Sequence, residues 1–88
     1  MHYVYVLINE SGGKYVGYTS DLRRRFKEHR EGKSRYTKGH TNWKLCYYEA
    51  FADKGDAIKR ERALKQSSQS RRWLYERISK SIELCRKS

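Results

Sequence analysis

Length, composition and charge set the first limits on this sequence. The chain has 88 residues, of which 36% are hydrophobic, enough for one small domain with one modest core. No stretch approaches the ~20 apolar residues of a membrane span, and no opening apolar run is typical of a signal peptide. Lysine and arginine outnumber aspartate and glutamate by 21 to 10, so the net charge is +11. We therefore expect a basic, cytoplasmic protein of one domain.

The positive charge favours a polyanionic partner, because like charges at this density repel one another. Nucleic acid is the common partner of such chains. One alternative is an anionic membrane surface, and another is a basic surface that serves only solubility. Charge by itself does not separate a protein that binds nucleic acid from one that cuts it.

The first 18 residues predict a β-hairpin. Residues 3–8 (YVYVLI) are β-branched and aromatic, as in a buried strand. Residues 9–13 (NESGG) have the composition of a turn, and residues 14–18 (KYVGY) predict a second strand. Two short strands joined by such a turn are expected to pair with each other.

A helix and a basic loop are expected after the hairpin. Thr19 or Ser20 can cap the N-terminus of this helix, because a short hydroxyl side chain accepts a hydrogen bond from the first helical turn. The helix is predicted to run to about Glu31 and to end at Gly32. Residues 33–42 then predict a loop rich in lysine and arginine.

The C-terminal half predicts one more strand and two more helices. Residues 43–51 form the strand, and Asp53 can cap a helix that continues through about Gln66. The serines at 67, 68 and 70 interrupt the pattern, and a third helix runs to about Leu84. The element order is therefore β-β-α-β-α-α, an α/β (α+β) fold class in which helices pack against a small sheet.

Two polar residues border the apolar stripe of the first predicted helix. Leu22 and Phe26 form this stripe, and at 100° per residue Arg25 and His29 fall within about 60° of Leu22. Structurally, Arg25 can cover apolar surface with its aliphatic stem, and His29 can be a hydrogen-bonded histidine at the edge of the core. The alternative is that both side chains face a functional site.

Glu61 lies in the middle of the core stripe of the second predicted helix. Ala57, Ile58 and Leu64 define that stripe. A carboxylate there is costly unless it is paired, protonated or bound to a metal. The structural alternative is an ion pair with Arg25 or a lysine, and the functional alternative is a hard cation, which prefers oxygen ligands.

Tyrosine is unusually common, with eight copies in 88 residues. Because side chains alternate along a strand, Tyr3 and Tyr5 share one face, and strand pairing can bring Tyr15 near that face. Most tyrosines in strands simply pack. The alternative is a pair of phenols at the rim of the sheet, which offers hydrogen bonds or a base.

Other chemistries find no support in the sequence. Residues 12–14 (GGK) lack the spacing and the following helix of a phosphate-binding loop. The histidines and cysteines show no zinc spacing, and no serine has a recognisable nucleophile context. Cys46 and Cys85 are too few for the disulfide framework of a small secreted domain, so we expect both thiols to be reduced and structural.

Short motifs along most of the chain resemble those of the GIY-YIG nuclease superfamily. Residues 3–5 (YVY) and 15–17 (YVG) resemble the paired GIY and YIG motifs. Residues 18–29, in which an arginine is followed four positions later by a histidine, resemble the helix signature of the family. Residues 47–50 (YYEA) and 57–65 (AIKRERALK) resemble the stretch that carries its metal-binding glutamate.

The resemblance covers residues 2 to about 78 and is closest to the short stand-alone bacterial members, the UvrC-like endonuclease domains. It implies that residues 1–88 form a single GIY-YIG nuclease domain. It also implies a small three-stranded antiparallel sheet flanked by three helices, in agreement with the elements predicted from the residues alone. One position departs from the family motif, because Tyr3 replaces the first glycine of GIY.

The hairpin supplies part of the implied site. Tyr5 matches the tyrosine of GIY, and Tyr15 matches the tyrosine of YIG. Either phenol is a candidate for orienting and deprotonating the attacking water, although a free phenol, with a pKa near 10, is a poor base at neutral pH. Gly17 matches the glycine of YIG, where a bare backbone can approach a ligand closely.

The helices supply the rest of the implied site. Arg25 matches the arginine that faces the scissile phosphate, and Glu61 matches the single metal-ligand glutamate. His29 matches a position that holds histidine or tyrosine in the family, where it is expected to relay a proton or to hold a tyrosine. The implied cofactor is one divalent ion, Mg²⁺ or Mn²⁺, held by Glu61 with waters in the remaining positions.

The expected activity is metal-dependent hydrolysis of phosphodiester bonds in nucleic acid, DNA in preference to RNA. Four basic residues are expected to follow the phosphate backbone: Lys33, Arg35, Lys38 and Lys44. Specificity is expected from substrate structure, self-association or a protein partner, in DNA repair, recombination or defence against mobile elements. The alternatives are a non-catalytic nucleic-acid-binding module of the same fold and a protein-interaction domain.

Overall fold

The structure of this protein is a computed structural model, and it describes residues 1–32 and 42–87. The described elements are β1 (His2–Ile8), β2 (Lys14–Thr19), α1 (Leu22–Arg30), β3 (Lys44–Phe51), α2 (Lys54–Gln66), α3 (Ser68–Arg77) and α4 (Ser79–Lys87). The strands form one sheet in the order β2-β1-β3, and both pairs are antiparallel. The predicted α+β class and three-stranded antiparallel sheet are therefore confirmed.

A tight turn joins the two strands of the hairpin. Gly12 has a φ of 88°, a left-handed conformation that glycine adopts without steric cost. The Gly12 amide donates to the carbonyl of Asn9, and the Gly13 amide donates to the side-chain oxygen of Asn9 over 2.7 Å. The turn sets the register of the hairpin, in which Tyr5 pairs with Gly17 and Leu7 with Tyr15.

The cap of α1 differs from the sequence prediction. Asp21, rather than Thr19 or Ser20, is the N-cap residue, and its carboxylate accepts a hydrogen bond from the Arg24 amide over 3.1 Å. The hydroxyl of Thr19 does not cap the helix. It accepts a hydrogen bond from the Asp21 amide over 3.0 Å, in the turn that precedes α1. As predicted, Gly32 follows the end of α1, with a φ of 72°.

Side chains cap the N-termini of α2 and α3, and only the cap of α2 was predicted. The Asp53 carboxylate caps α2, and the Ser67 hydroxyl caps α3. The predicted third helix is divided in two: α3 ends at Arg77 and α4 begins at Ser79, on either side of Ile78, which is only 6% exposed. The division directs α3 against α2 and α4 against β3, so Ile78 is buried at the junction.

The two faces of the sheet support two separate apolar clusters. On one face, Val4, Val6 and Ile8 pack against helical residues that include Leu64 and Leu74. Burial of each such side chain stabilises the fold by about 1.5–3 kcal/mol. No helix among the described residues combines the length and the apolar character that crossing a membrane requires.

On the other face, the side chains that point toward α1 form the second cluster. Tyr5, Leu7 and Trp43 are buried there, and Leu22 and Phe26 of α1 pack against them. This face carries the tyrosines that were predicted to share a site, and α1 covers only part of it.

The two cysteines are free thiols at the contact between β3 and α4. Burial, together with the neighbouring Cys85 thiol, raises the pKa of Cys46 to about 11. The Cys85 thiol lies 3.7 Å from the carbonyl oxygen of Leu45. Both residues therefore pack as reduced side chains in this structure, as the sequence predicts.

Candidate active site

A buried hydrogen bond between Tyr5 and His29 lies at the centre of the site. The Tyr5 hydroxyl is 2.8 Å from Nε2 of His29, and the two residues are 1% and 0% exposed. Strand alternation directs Tyr5 toward α1, and His29 is the fully buried residue of that helix. His29 is therefore a hydrogen-bonded histidine, as in its structural alternative, but it lies in the core rather than at its edge, and it fixes the position of one phenol.

Burial determines the protonation states of this pair. Burial, followed by the positive charge of Arg25, lowers the pKa of His29 to about 4, so the imidazole is neutral near pH 7. Burial, followed by the influence of Tyr15, raises the pKa of the Tyr5 phenol well above its usual value. A neutral imidazole with a protonated phenol is therefore the stable combination, joined by the 2.8 Å hydrogen bond between the Tyr5 hydroxyl and Nε2 of His29.

Tyr15 lies beside this pair and is more accessible. Its ring centroid is 5.0 Å from that of His29 and 6.2 Å from that of Tyr5. Tyr15 is half-buried, whereas Tyr5 is enclosed, so Tyr15 is the phenol that a ligand at the surface can reach. The hairpin thus brings both predicted tyrosines into one group.

Gly17 provides the space for the two phenols. A Cβ atom at this position would lie 2.5 Å from the Tyr5 hydroxyl, 2.6 Å from Cζ of Tyr5 and 2.8 Å from Cε2 of Tyr15. Real Cβ contacts are not so short. The glycine of the second motif is therefore required here because two aromatic rings occupy the place of its side chain.

Replacing Gly17 by alanine is expected to disturb both stability and the site. The added methyl group must displace Tyr5, which is held by His29 and has no free space around it, and such overpacking costs about 1–3 kcal/mol. Thermal unfolding of the Gly17→Ala variant measures the loss. A variant with unchanged stability would show that the two rings move aside freely and that their positions are not fixed.

Arg25 projects from α1 toward the same phenols. Its Nη1 donates to Oε1 of Glu28 over 3.0 Å, and its side chain is 32% exposed. Partial burial acts to lower the pKa of Arg25, but hydrogen bonding to Glu28 and Tyr5 outweighs this and raises it. The guanidinium is thus permanently charged, oriented by a carboxylate, and placed beside Tyr5 with part of its surface open.

Glu61 and Lys65 of α2 complete the group. Oε2 of Glu61 lies 3.2 Å from Nζ of Lys65, and the same ammonium lies 5.4 Å from the ring centroid of Tyr15. The negative charge of Glu61 also acts on Tyr5, where it contributes to the raised pKa of the phenol. Lys65 therefore links the carboxylate of α2 to the phenols of the hairpin.

The position of Glu61 differs from the prediction in one respect. Its side chain is 24% exposed, so it lies at the rim of the helical face rather than inside the apolar core. The core positions of α2 are Ala57 and Leu64. Of the two alternatives for Glu61, the ion pair with a lysine is present in the structure, and the partner is Lys65 rather than Arg25.

The donor chemistry at Glu61 fits a divalent metal ion that is shared with a substrate. Mg²⁺ in phosphate-processing sites binds one or two carboxylates, several waters and substrate oxygens. An exposed pair at this helical spacing contributes only about 0.3–0.5 kcal/mol, so a cation can displace Lys65 from Glu61. Within residues 1–32 and 42–87, no three histidine, cysteine or acidic side chains converge as a closed protein cage would require.

Acidification is expected to destabilise the fold through His29. Its pKa is lowered from 6.5 to about 4, so between these values the unfolded chain binds a proton that the folded chain does not. Stability therefore falls as the pH falls through this range, by about 2–3 kcal/mol. Thermal melts of the protein and of His29→Phe between pH 4 and pH 7.5 measure the contribution of His29. The stability of the variant should depend less on pH than that of the unchanged protein. Identical slopes would contradict a neutral buried imidazole.

The structure brings most of the predicted site residues together but not all of them. The group formed around the Tyr5–His29 bond contains the six residues that the motifs single out: Tyr5, Tyr15, Gly17, Arg25, His29 and Glu61. Lys44 does not join them, because its Nζ donates to the carbonyl of Cys85 over 3.1 Å at the contact with α4. Lys33, Arg35 and Lys38 lie outside the described residues.

Lys65 is the site residue that the sequence analysis did not identify. It follows Glu61 by four positions, the spacing at which a glutamate and a lysine meet on a helix. This spacing predicts the ion pair. The placement of the ammonium over the ring of Tyr15 depends on how α2 packs against the hairpin. This packing cannot be predicted from the local sequence.

Comparison with known proteins identifies a family and several similar proteins. The family profile of the GIY-YIG catalytic domain matches residues 1–76. A UPF0213 protein of Halobacterium salinarum is 41% identical over 73 residues, which are 82% of this chain and 95% of that protein. A UPF0213 protein of Bacillus velezensis is 37% identical over 75 residues, which are 84% of this chain and 76% of that protein.

A solved structure shows the same fold. The solution NMR structure of the UPF0213 protein BH0048 from Bacillus halodurans superposes with a TM-score of 0.55. The two proteins are 38% identical, and the match covers 85% of this chain and 82% of that chain. Because the family profile spans most of the sequence and the motif residues meet at one place, this chain belongs to the GIY-YIG catalytic domain family of nucleases.

Proposed function

We propose that this protein is an endonuclease that hydrolyses phosphodiester bonds in nucleic acid, DNA in preference to RNA, with one divalent metal ion. The observation that supports the proposal is the meeting of Tyr5, Tyr15, Arg25, His29 and Glu61 at one partly open place beside α1. In phosphoryl transfer, a guanidinium can stabilise the charge on the phosphate, an accessible phenol can orient the attacking water, and a carboxylate can hold a metal ion.

Arg25 is proposed to hold the scissile phosphate. Its guanidinium is always charged and planar, so it can donate two parallel hydrogen bonds to the non-bridging oxygens. Glu28 fixes one edge of this group over 3.0 Å and leaves it oriented before substrate arrives. A fixed donor stabilises the charge that develops on the phosphate without the cost of reorganisation during the reaction.

Tyr15 is proposed to orient the attacking water and, once its own hydroxyl proton has passed to bulk solvent, to accept a proton from that water. Tyr5 is unsuited to this role, since it is buried, its pKa is raised, and its hydroxyl is committed to His29. Tyr15 is half-buried, and its ring centroid lies 5.4 Å from Nζ of Lys65, so it is the phenol within reach of a bound strand. Tyr5 and His29 then hold the ring of Tyr15 in place.

Glu61 is proposed to hold the metal ion, Mg²⁺ or Mn²⁺, together with waters and a phosphate oxygen. A bound divalent ion supplies a Lewis acid that neutralises charge on the phosphate and on the leaving 3′ oxygen.

The net charge of +11 is proposed to hold the strand through its phosphates, and binding is then expected to weaken steeply with salt. Self-association or a protein partner is proposed to direct the enzyme, with DNA repair in the cytoplasm as one setting.

A substrate panel tests the proposal. Single-stranded, duplex and branched DNA, with RNA of matched sequence, are incubated with the purified protein in Mg²⁺, Mn²⁺ or EDTA at two salt concentrations. We expect cutting of at least one DNA in the presence of metal and none in EDTA. Binding to the panel without cutting under any condition would contradict the nuclease and favour the non-catalytic binding module.

A further inference from the structure

The face of the sheet that carries the catalytic phenols continues into a pocket with exposed aromatic rings. Tyr3 and Tyr5 lie on the same side of β1, two positions and therefore about 6.8 Å apart. Tyr48 of β3 is paired directly with Tyr5, so its side chain also lies on this face. Tyr3 and Tyr48 form the wall of a pocket of about 500 Å³ that lies between the sheet and the start of α1.

The aromatic lining of this pocket is only partly covered. The rings of Tyr3 and Tyr48 meet edge to face, with centroids 5.9 Å apart and an interplanar angle of 70°. Tyr48 is 52% exposed, although large apolar groups on a sheet face are usually packed. Leu22 and Phe26 add apolar surface from α1. Among the described residues, the pocket therefore offers partly exposed aromatic surface on the face of the sheet that carries Tyr5.

The polar groups of the pocket indicate what it holds. Arg23 supplies a positive charge, while Ser20 and Asp21 supply a hydroxyl and a carboxylate. The carboxylate of Asp21 accepts from the Arg24 amide and retains further acceptor capacity. A phosphate in the pocket would be repelled by Asp21. A neutral aromatic ring with N–H donors on its edge can donate to the carboxylate of Asp21. A phosphate that flanks this ring can reach the positive charge of Arg23.

We propose that the pocket formed by Tyr3, Tyr48 and the start of α1 binds one unpaired nucleobase of the strand that is cut. The inference rests on the proposed nuclease function and names its substrate class. A base within a duplex is stacked on both sides and cannot enter such a pocket unless it leaves the helix. The nucleotide that enters the pocket must therefore be single-stranded, at a branch, or displaced from its pair.

Binding of a fluorescent oligonucleotide tests this site separately from cleavage. The probe is single-stranded DNA with one 2-aminopurine, measured in EDTA so that no strand is cut. The variants are Tyr48→Ala, Tyr48→Phe and Trp73→Ala. Trp73 is the matched control, because it is 64% exposed and lies on α3, outside the pocket. Thermal melts show that each variant is folded.

We expect Tyr48→Ala to weaken binding by about fivefold or more and to reduce the quenching of 2-aminopurine, because base stacking on an aromatic ring is lost. Tyr48→Phe keeps the aromatic ring and should therefore retain both the binding affinity and the quenching of 2-aminopurine. Trp73→Ala should bind as the unchanged protein does, and duplex DNA should show less than twofold difference among all variants. Equal affinities of Tyr48→Ala and Trp73→Ala for the single-stranded probe would overturn the inference.

Cleavage by the unchanged protein separates a failed inference from a failed nuclease. If the protein cuts DNA and Tyr48→Ala cuts single-stranded and duplex DNA with the same ratio of rates as the unchanged protein, the base pocket is wrong and the nuclease stands. If light scattering shows that Tyr48→Ala changes the oligomeric state while probe affinity stays the same, the pocket is a contact between copies, and the inference is again overturned.

Discussion

Replacing Glu61 by glutamine is expected to reduce metal-dependent cleavage by at least about 100-fold while the fold is retained. Glutamine has the same shape but no charge, so it removes the anionic ligand that the proposed metal ion requires. The change also releases Lys65, which is held at 3.2 Å, but an exposed pair of this kind contributes under about 1 kcal/mol. Single-turnover cleavage and Mn²⁺ binding, measured by electron paramagnetic resonance, report the two effects independently.

The matched control for this prediction is Glu83→Gln. Glu83 forms the same type of pair with Lys87, four positions later at 2.9 Å, on α4 and away from the site. Both variants lose one helical ion pair, so their thermal stabilities should differ little. Loss of cleavage in both, or full cleavage and metal binding in Glu61→Gln, would remove the assignment of Glu61 as the metal ligand.

The second large effect is expected for Arg25→Lys, with a loss of about 100-fold or more in kcat and a small change in KM. Lysine keeps the positive charge but lacks the planar fork that can hold two phosphate oxygens at once. The hydrogen bond from Nη1 to Glu28 is also lost in its present geometry, so the charge is no longer held beside the phenols. Steady-state kinetics on the preferred DNA measures the split between kcat and KM.

Arg24→Lys is the control for this change. Arg24 is the neighbouring position on α1 and is exposed, so a general weakening of strand binding would affect both variants through KM. A selective loss of kcat in Arg25→Lys supports contact with the reacting phosphate. Equal kinetics in the two variants would show that Arg25 contributes only to the basic surface.

Periodicity and turn chemistry predict most of this fold. The hairpin follows from two β-branched and aromatic segments joined by a Gly-rich turn, and the N-cap of α2 follows from Asp53. The division of the last helix at Ile78 could not be predicted, because no proline or glycine interrupts residues 68–87. The break arises from packing, since α3 lies against α2 and α4 against β3.

The sequence predicts which residues form the site but not how these residues are arranged. Spacing on α1 places Arg25 and His29 beside the apolar stripe, as the structure shows. It does not show that His29 is fully buried and bonded to Tyr5, because that depends on how closely α1 packs on β1. Lys65 was missed for the same reason, since its contact with the hairpin is a tertiary one.

The end groups of the reaction products test the central claim most directly. Hydrolysis in which the 3′ oxygen leaves must produce a 5′-phosphate and a 3′-hydroxyl. Cutting by the purified protein should therefore need Mg²⁺ or Mn²⁺, and DNA ligase should rejoin the products once they are annealed to a complementary strand, without prior treatment of their ends. Single-stranded and branched DNA that remain intact in both metals, or products that carry a 5′-hydroxyl, would contradict the account.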